Sequence, residues 1–290
     1  MQRADIPMAN QLRDLAGWNQ TERDWQGYLE FEPAGCFVAE VRGEPAGTAT
    51  TIRYGDRVGW IGMVLVHPEQ RRLGIGSLLL RQAIQYLEAC GVRCIKLDAT
   101  PLGRKVYVPL GFVDEYELSR YEANPGAAAP SAQGLADRGE GTAAPGKLVP
   151  YAAVDAAAVA ALDAAAFGVP RPQVLAALGA RDPELCFASR DAEGRLRGYL
   201  IARQGARAVQ VGPWSAREAD AAEQLLLACL GNVTGRTVFV DVPATNAAGV
   251  ELVKKYGFRV QRTLTRMFLG ENTSPGDPRL VYGISSPEKG

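Results

Sequence analysis

Two tandem α/β (α+β) domains, each a mixed and mostly antiparallel sheet flanked by helices, are predicted by three features of this 290-residue chain. The first is residues 60–80, which read as a buried strand, a basic glycine loop and the start of a helix. The second is a Pro/Gly/Ala-rich stretch at 123–146 with no apolar periodicity, the composition of an interdomain linker. The third is an echo between the halves, about 150 residues apart. Cys36-Phe37 matches Cys186-Phe187, Gly47 matches Gly198, Gly62 matches Gly212, and Gly111-Phe112 matches Gly257-Phe258. Arg120 and Arg266 each stand eight residues after those last phenylalanines. The expected domains are therefore 1–122 and 147–286, in keeping with the usual size of a domain.

Taken in order, residues 9–16 and 22–30 read as two short helices around Gly17-Trp18-Asn19-Gln20-Thr21, with Thr21 as an N-cap. Residues 36–41 and 47–54 alternate like the strands of a hairpin joined through Gly43-Glu44-Pro45. Gly55-Asp56 then turns into the apolar, β-branched run 60–66, which Pro68 ends, so the first three strands form a meander. A helix opens near Leu73 and continues over 76–89 with Leu79, Ala83, Ile84 and Leu87 on one face, until Gly91 stops it. A strand at 94–99, a helix at 103–110 and a last strand at 116–121 complete the first half.

Composition narrows the function. At 47% apolar and 22% charged, the chain is ordinary globular protein. Lys plus Arg equals Asp plus Glu at 32 each, so no global field draws it to nucleic acid or an anionic membrane. No run is long enough to cross a bilayer and residues 1–20 lack the apolar core of a secretory signal, so a cytoplasmic location is expected. Five cysteines, none in a C-x-x-C pair, argue against a disulfide framework or a zinc site, and no metal is expected.

The chemistry concentrates at the glycine loop. Gly74 and Gly76 carry no Cβ, so a ligand can approach the backbone while the first N–H groups of the helix point outward. With the positive end of the helix dipole and the charges of Arg71 and Arg72, this is an anion site suited to a pyrophosphate. A dinucleotide fold would need three spaced glycines and an acidic residue at the end of a second strand. Here only two glycines are correctly spaced, and Glu88 falls within the helix pattern. Gly62, inside the strand, signals a bulge or a close backbone approach.

Arg71-Arg72-Leu73-Gly74-Ile75-Gly76 resembles the R/Q-x-x-G-x-G/A signature of the GNAT superfamily of N-acetyltransferases. The resemblance implies acetyl-CoA as cosubstrate, with its pyrophosphate held by residues 71–76 and Ser77. It further implies that backbone N–H groups around Val64, Leu65 and Val66 polarise the thioester carbonyl. A second segment, from Leu97 to Gly111-Phe112, is similar to the family's stretch ending in L-Y-x-x-x-G-F, which places its general-acid tyrosine at Tyr107. Many relatives carry Asn seven residues before that tyrosine as a cofactor contact; here Thr100 stands there, followed by Pro101. The implied reaction is transfer of acetyl to a primary amine by direct attack in a ternary complex, by a monomer or homodimer. A CoA-responsive regulatory module is the alternative.

The base and the acceptor are less marked. Asp98 is a candidate base, or a cap for the turn after it; His67 or a water relay would serve as well. Trp18, Asn19, Gln20 and Trp25 lie where relatives contact substrate, although two tryptophans at this spacing also suit a core. Small amine, amino acid, antibiotic and protein lysine are all open as acceptors. The second half resembles a degenerate copy: Pro213 and Trp214 crowd its loop, Glu218 and Asp220 would repel phosphate, and Val253 replaces the tyrosine. That half is expected to bind no CoA and to shape the acceptor site across the domain seam, with Arg171 as an anion anchor.

Overall fold

The computed structural model describes residues 1–125, 146–233 and 235–290. The linker expected at 123–146 lies, from 126 to 145, outside the described residues. In the first half, α1 (Ile6–Leu15) and α2 (Glu22–Phe31) precede the meander β1 (Cys36–Val41), β2 (Glu44–Tyr54) and β3 (Val58–Val66). Then come α3 (Ile75–Ala89), β4 (Cys94–Ala99), α4 (Pro101–Tyr107) and β5 (Val113–Ala123). The second half repeats the order as β6 (Lys147–Pro150), α5 (Ala156–Phe167), α6 (Pro172–Gly179), β7 (Phe187–Arg190), β8 (Leu196–Gln204) and β9 (Val209–Ala216). It ends with α7 (Ala219–Gly231), β10 (Val238–Pro243), α8 (Ala247–Lys255), β11 (Arg259–Gly270) and β12 (Val281–Gly283).

The order of elements agrees with the sequence pattern, and the differences have local causes. The β1–β2 turn is Arg42-Gly43 rather than Gly43-Glu44-Pro45, because a two-residue hairpin loop needs positive φ at both positions, here 55° and 84°. α4 begins earlier than expected, since Thr100 caps it and Pro101 suits the first turn, and a 3-10 turn at Val108–Leu110 replaces its end around Pro109. β5 is longer than 116–121 because it has a partner on each side.

Those partners come from the other half. The strands form one sheet in the order β1-β2-β3-β4-β11-β5-β10-β9-β8-β7-β6, with β12 beside β9. β11 of the second half enters between β4 and β5 of the first, and β5 of the first enters between β11 and β10 of the second. Each half thus lends a strand to the other. A buried ion pair marks each exchange: Arg120 on β5 holds Asp241 on β10 through 2.9 and 2.7 Å bonds. Arg266 on β11 holds Asp98 on β4 at 2.8 and 2.9 Å. The largest apolar cluster also crosses the seam, packing Trp25, Tyr28 and Trp60 of the first half with Leu162, Leu175 and Ile201 of the second.

The segment after β12 ties the seam from inside. Trp60 Nε1 donates to the Pro287 carbonyl at 3.0 Å, and Tyr54 donates to that of Lys289 at 2.7 Å. Lys289 is fully buried and its Nζ donates to Asp24 and Tyr28 at 2.9 Å and to Glu288 at 3.0 Å.

Candidate active site

A break in the sheet creates the site. β3 and β4 run parallel and pair only from Val58–Cys94 to Trp60–Lys96; beyond that point they part. On the other side of β3, the pairing with β2 skips Ala49 against Met63 and Val64, and Met63 takes φ 51°. A bulge with positive φ at a buried Met is a strained arrangement that frees backbone groups from the ladder. Between the parted strands opens a cavity of about 670 Å³, within the range of small-ligand and cofactor sites.

Of the sequence-predicted residues, Val64, Leu65 and Val66 form one wall, and Asp98, Thr100 and Tyr107 lie opposite. Arg71, Gly76, Trp18 and Gln20 line the cavity as well. Arg72, Leu73, Gly74, Ile75 and Ser77 belong to the loop before α3 and its first turn and do not line the cavity. Gly74 caps α3 with φ 79°, and nothing lies within 4 Å of where its Cβ would be. Ile75 turns its side chain into the core, so only its backbone can face a ligand.

Tyr107 lines the cavity with its ring held from two sides. Its ring rests on Phe112, with centroids 6.1 Å apart. A Cβ on Gly103 would stand 3.0 Å from its hydroxyl oxygen, so this glycine makes room for the phenol. Burial pushes the phenol up to about 12, which keeps it protonated at neutral pH. Thr100 does not present a free hydroxyl as an acceptor, because its Oγ1 takes the Gly103 N–H at 3.1 Å.

Four expectations need correction. Asp98 lines the cavity but is no free base: its carboxylate is fully buried and bound at both oxygens by Arg266, with burial pushing it up and the guanidinium pulling it back. Asn19 faces away, donating to the Ala208 carbonyl and accepting from the Arg207 and Ala208 N–H groups, so it pins a loop of the second half. Trp25 is wholly buried, edge-on to Tyr28, and serves the core. Arg171 is not an anchor for acceptor. Asp163 holds it through two bonds at 2.8 and 2.9 Å, and it donates to Ser285 and to the Gly290 carbonyl over the ring of Phe167.

The second half supplies residues that the sequence reading missed, among them Arg262 and Leu264 on β11 and Pro287 and Glu288 beyond β12. Glu288 crosses beneath β3 at Gly62, where any Cβ would come within 2.6 Å of the Cβ of Glu288. The close approach signalled by Gly62 is therefore by the protein's own chain. Gln20 donates to Glu288 at 2.8 Å and Lys289 at 3.0 Å, and Lys289 holds the carboxyl at about 2 against the opposing effect of burial. The only sequence signal for this contact was the glycine itself.

The equivalent cleft in the second half is closed. β9 and β10 pair only from Val209–Val238 to Val211–Val240 before parting. β12 fills the gap, paired with Trp214 and Ser215 of β9, and the Ile284 N–H donates to the Asp241 carbonyl. A Cβ on Gly212 would lie 1.8 Å from the Ile284 carbonyl oxygen. Glu218 and Asp220 are bound by Arg197 at 3.2 and 2.7 Å, and Val253 is buried.

Among the described residues no group of three His, Cys, Asp or Glu side chains could hold a metal, and no helix is long and apolar enough to cross a membrane. All five cysteines are free thiols.

Comparison with known proteins gives two family matches, to the acetyltransferase (GNAT) family over residues 8–112 and to an acetyltransferase (GNAT) domain over 159–283. The chain is 26% identical over 202 residues to the uncharacterized N-acetyltransferase YitH of Bacillus subtilis, a match spanning 70% of this chain and 66% of that protein. It resembles the crystal structure of a putative acetyltransferase from Pyrococcus horikoshii at 26% identity, with TM-score 0.81 over 100% of this chain and 94% of that one. A tandem GNAT protein from the clavulanic acid biosynthesis pathway shares the fold, with TM-score 0.62 at 18% identity, covering 93% of this chain and 97% of that one.

Proposed function

Because the chain belongs to the GNAT acetyltransferases, with one domain of the family in each half, we propose that it is an acetyl-CoA-dependent N-acetyltransferase acting on a primary amine. Its chemistry runs in the N-terminal domain, 1–122, completed by β11. The observation that carries this reading is that the cavity beside the parted β3 and β4 is lined both by Tyr107 and by Arg71 and Gly76 at the N-terminus of α3.

The residues fit acetyl-CoA. Gly74 and Gly76 leave the α3 backbone bare, and Arg71 and Arg72 add charge where a pyrophosphate would sit. The unpaired edge of β3 at Val64 to Val66 offers N–H donors for a developing oxyanion, a contribution worth about 3 kcal/mol per donor in other enzymes. When bound, acetyl-CoA supplies an acetyl group activated as a thioester. Tyr107 holds a proton at its hydroxyl where a departing thiolate, with a conjugate acid near 8 to 9, requires one.

Neither carboxylate of the cavity is free to act as a base, although burial raises Asp98. Asp98 is tied to Arg266. Glu288, held at about 2, would accept a proton from an ammonium only rarely, so it orients an amine and leaves the proton to cavity water. The filled cleft of the second half supports the expectation that a titration will find one CoA per chain.

Calorimetry with CoA, followed by thiol release from acetyl-CoA in the presence of an amine library, tests the proposal. Binding without release for any amine would favour the regulatory alternative. Gly74→Asp should weaken CoA at least about 100-fold by placing a carboxylate beside the pyrophosphate, whereas Gly74→Asn, which also tolerates positive φ, should lose far less. Equal affinity in the two variants would separate the loop from the cofactor.

The pH profile gives a further check. A general acid acts while protonated, and Tyr107 is raised to about 12, so turnover should show no falling alkaline limb from this group below about pH 11. A limb near pH 10 that disappears in Tyr107→Phe would show that burial leaves the phenol unshifted.

A further inference from the structure

The second half brings two opposite charges, Arg262 and Glu288, to the lining of the cavity. Arg262, on β11, has no ion pair and no hydrogen bond among the described residues, and its Nε is buried without a partner. The arginines that are fully buried are answered: Arg13 by Asp14 and the Gln20 carbonyl, Arg120 by Asp241, Arg171 by Asp163, Arg266 by Asp98, and Arg203 by the carbonyls of Gly212 and Ser285. Arg262 is half-buried at the cavity, and a cation partly withdrawn from water with no bonded counter-ion favours an anionic ligand beside it.

Glu288 shares the cavity and does not pair with Arg262, because Gln20 and Lys289 already hold its two oxygens. Each carboxylate oxygen has a second lone pair, so an ammonium group can still be taken. Trp18 and Leu264 give the same pocket apolar walls for the rest of a small molecule.

Resting on the transferase reading above, we infer that the acceptor is a small amine that carries its own carboxylate, with Arg262 taking the acid group and Glu288 gathering the amine. A molecule with both charges would satisfy both side chains at once and leave the pair of charges in the cavity compensated. A plain polyamine would put a second cation near Arg262.

The test compares glycine, L-leucine, L-phenylalanine, L-glutamate, β-alanine and 4-aminobutyrate with the carboxamide of each, using acetyl-CoA and thiol release. At least one acid should exceed its own amide in kcat/KM by about 100-fold, as removal of one partner of a close charge pair does elsewhere. Arg262→Gln should bring that ratio to within a few-fold, mainly through KM, and Arg262→Lys should restore part of it. Calorimetry should find wild-type CoA affinity in both variants.

Equal rates for acids and amides, or a ratio that survives Arg262→Gln, would overturn the inference. So would turnover of uncharged amines alone, or CoA binding with no turnover of any member. A loss of CoA affinity in Arg262→Gln would assign the residue to the cofactor. Failure of the wild-type protein to bind CoA would remove the transferase reading itself, which distinguishes the two failures.

Discussion

Asp241→Asn should destabilise the protein by about 3 to 5 kcal/mol, because it leaves the Arg120 guanidinium charged and buried without its counter-ion. Arg120 is 2% exposed and Asp241 not at all, so neither water nor salt can compensate. The substitution keeps size and shape, which removes packing as an alternative cause. Gln210, which bonds to both partners, can offer the cation only a neutral oxygen at 3.4 Å. Urea denaturation would measure the loss. The double variant Arg120→Met with Asp241→Leu should recover most of it, since replacing both charges by apolar groups removes the desolvation penalty along with the attraction. A single substitution costing under 1 kcal/mol would show that water reaches the seam.

Tyr107→Phe should lower kcat by about 100-fold or more while leaving CoA affinity unchanged, as loss of a general acid does. The phenylalanine ring keeps the contact with Phe112. What disappears is a hydroxyl that takes no hydrogen bond among the described residues and is therefore free to donate into the cavity. Single-turnover thiol release would place the effect on the chemical step. Wild-type turnover in a folded variant would return Tyr107 to packing.

The part of the cavity proposed for the cofactor was legible in the sequence because its residues are close along the chain. The apolar run of β3, the glycines before α3 and Tyr107 ahead of Gly111-Phe112 each announce a local geometry. The part proposed for the acceptor was not, because it is assembled by topology. Nothing in the spacing around Arg262 or Glu288 says that β11 enters between β4 and β5, or that the segment beyond β12 passes beneath Gly62. Asp98 looked like a base for the same reason: a carboxylate at a strand end is visible, but its partner Arg266 lies on a strand of the other half. The repeat did expose Arg120 and Arg266 as equivalents. That each would pair with an aspartate across the seam required the exchanged strands.

The crossing of β5 and β11 also dictates when the molecule can become whole. During synthesis the outer edge of β4 and both edges of β5 must wait for β10 and β11, which are made much later. Contacts between such distant segments close large loops and so form slowly. Until residues 259–270 emerge, the first half carries open strand edges that another chain can pair with. The same crossing couples the halves at equilibrium: melting either one strips a neighbour from the other. Calorimetry of the intact protein should therefore record one cooperative transition where two independent domains would give two.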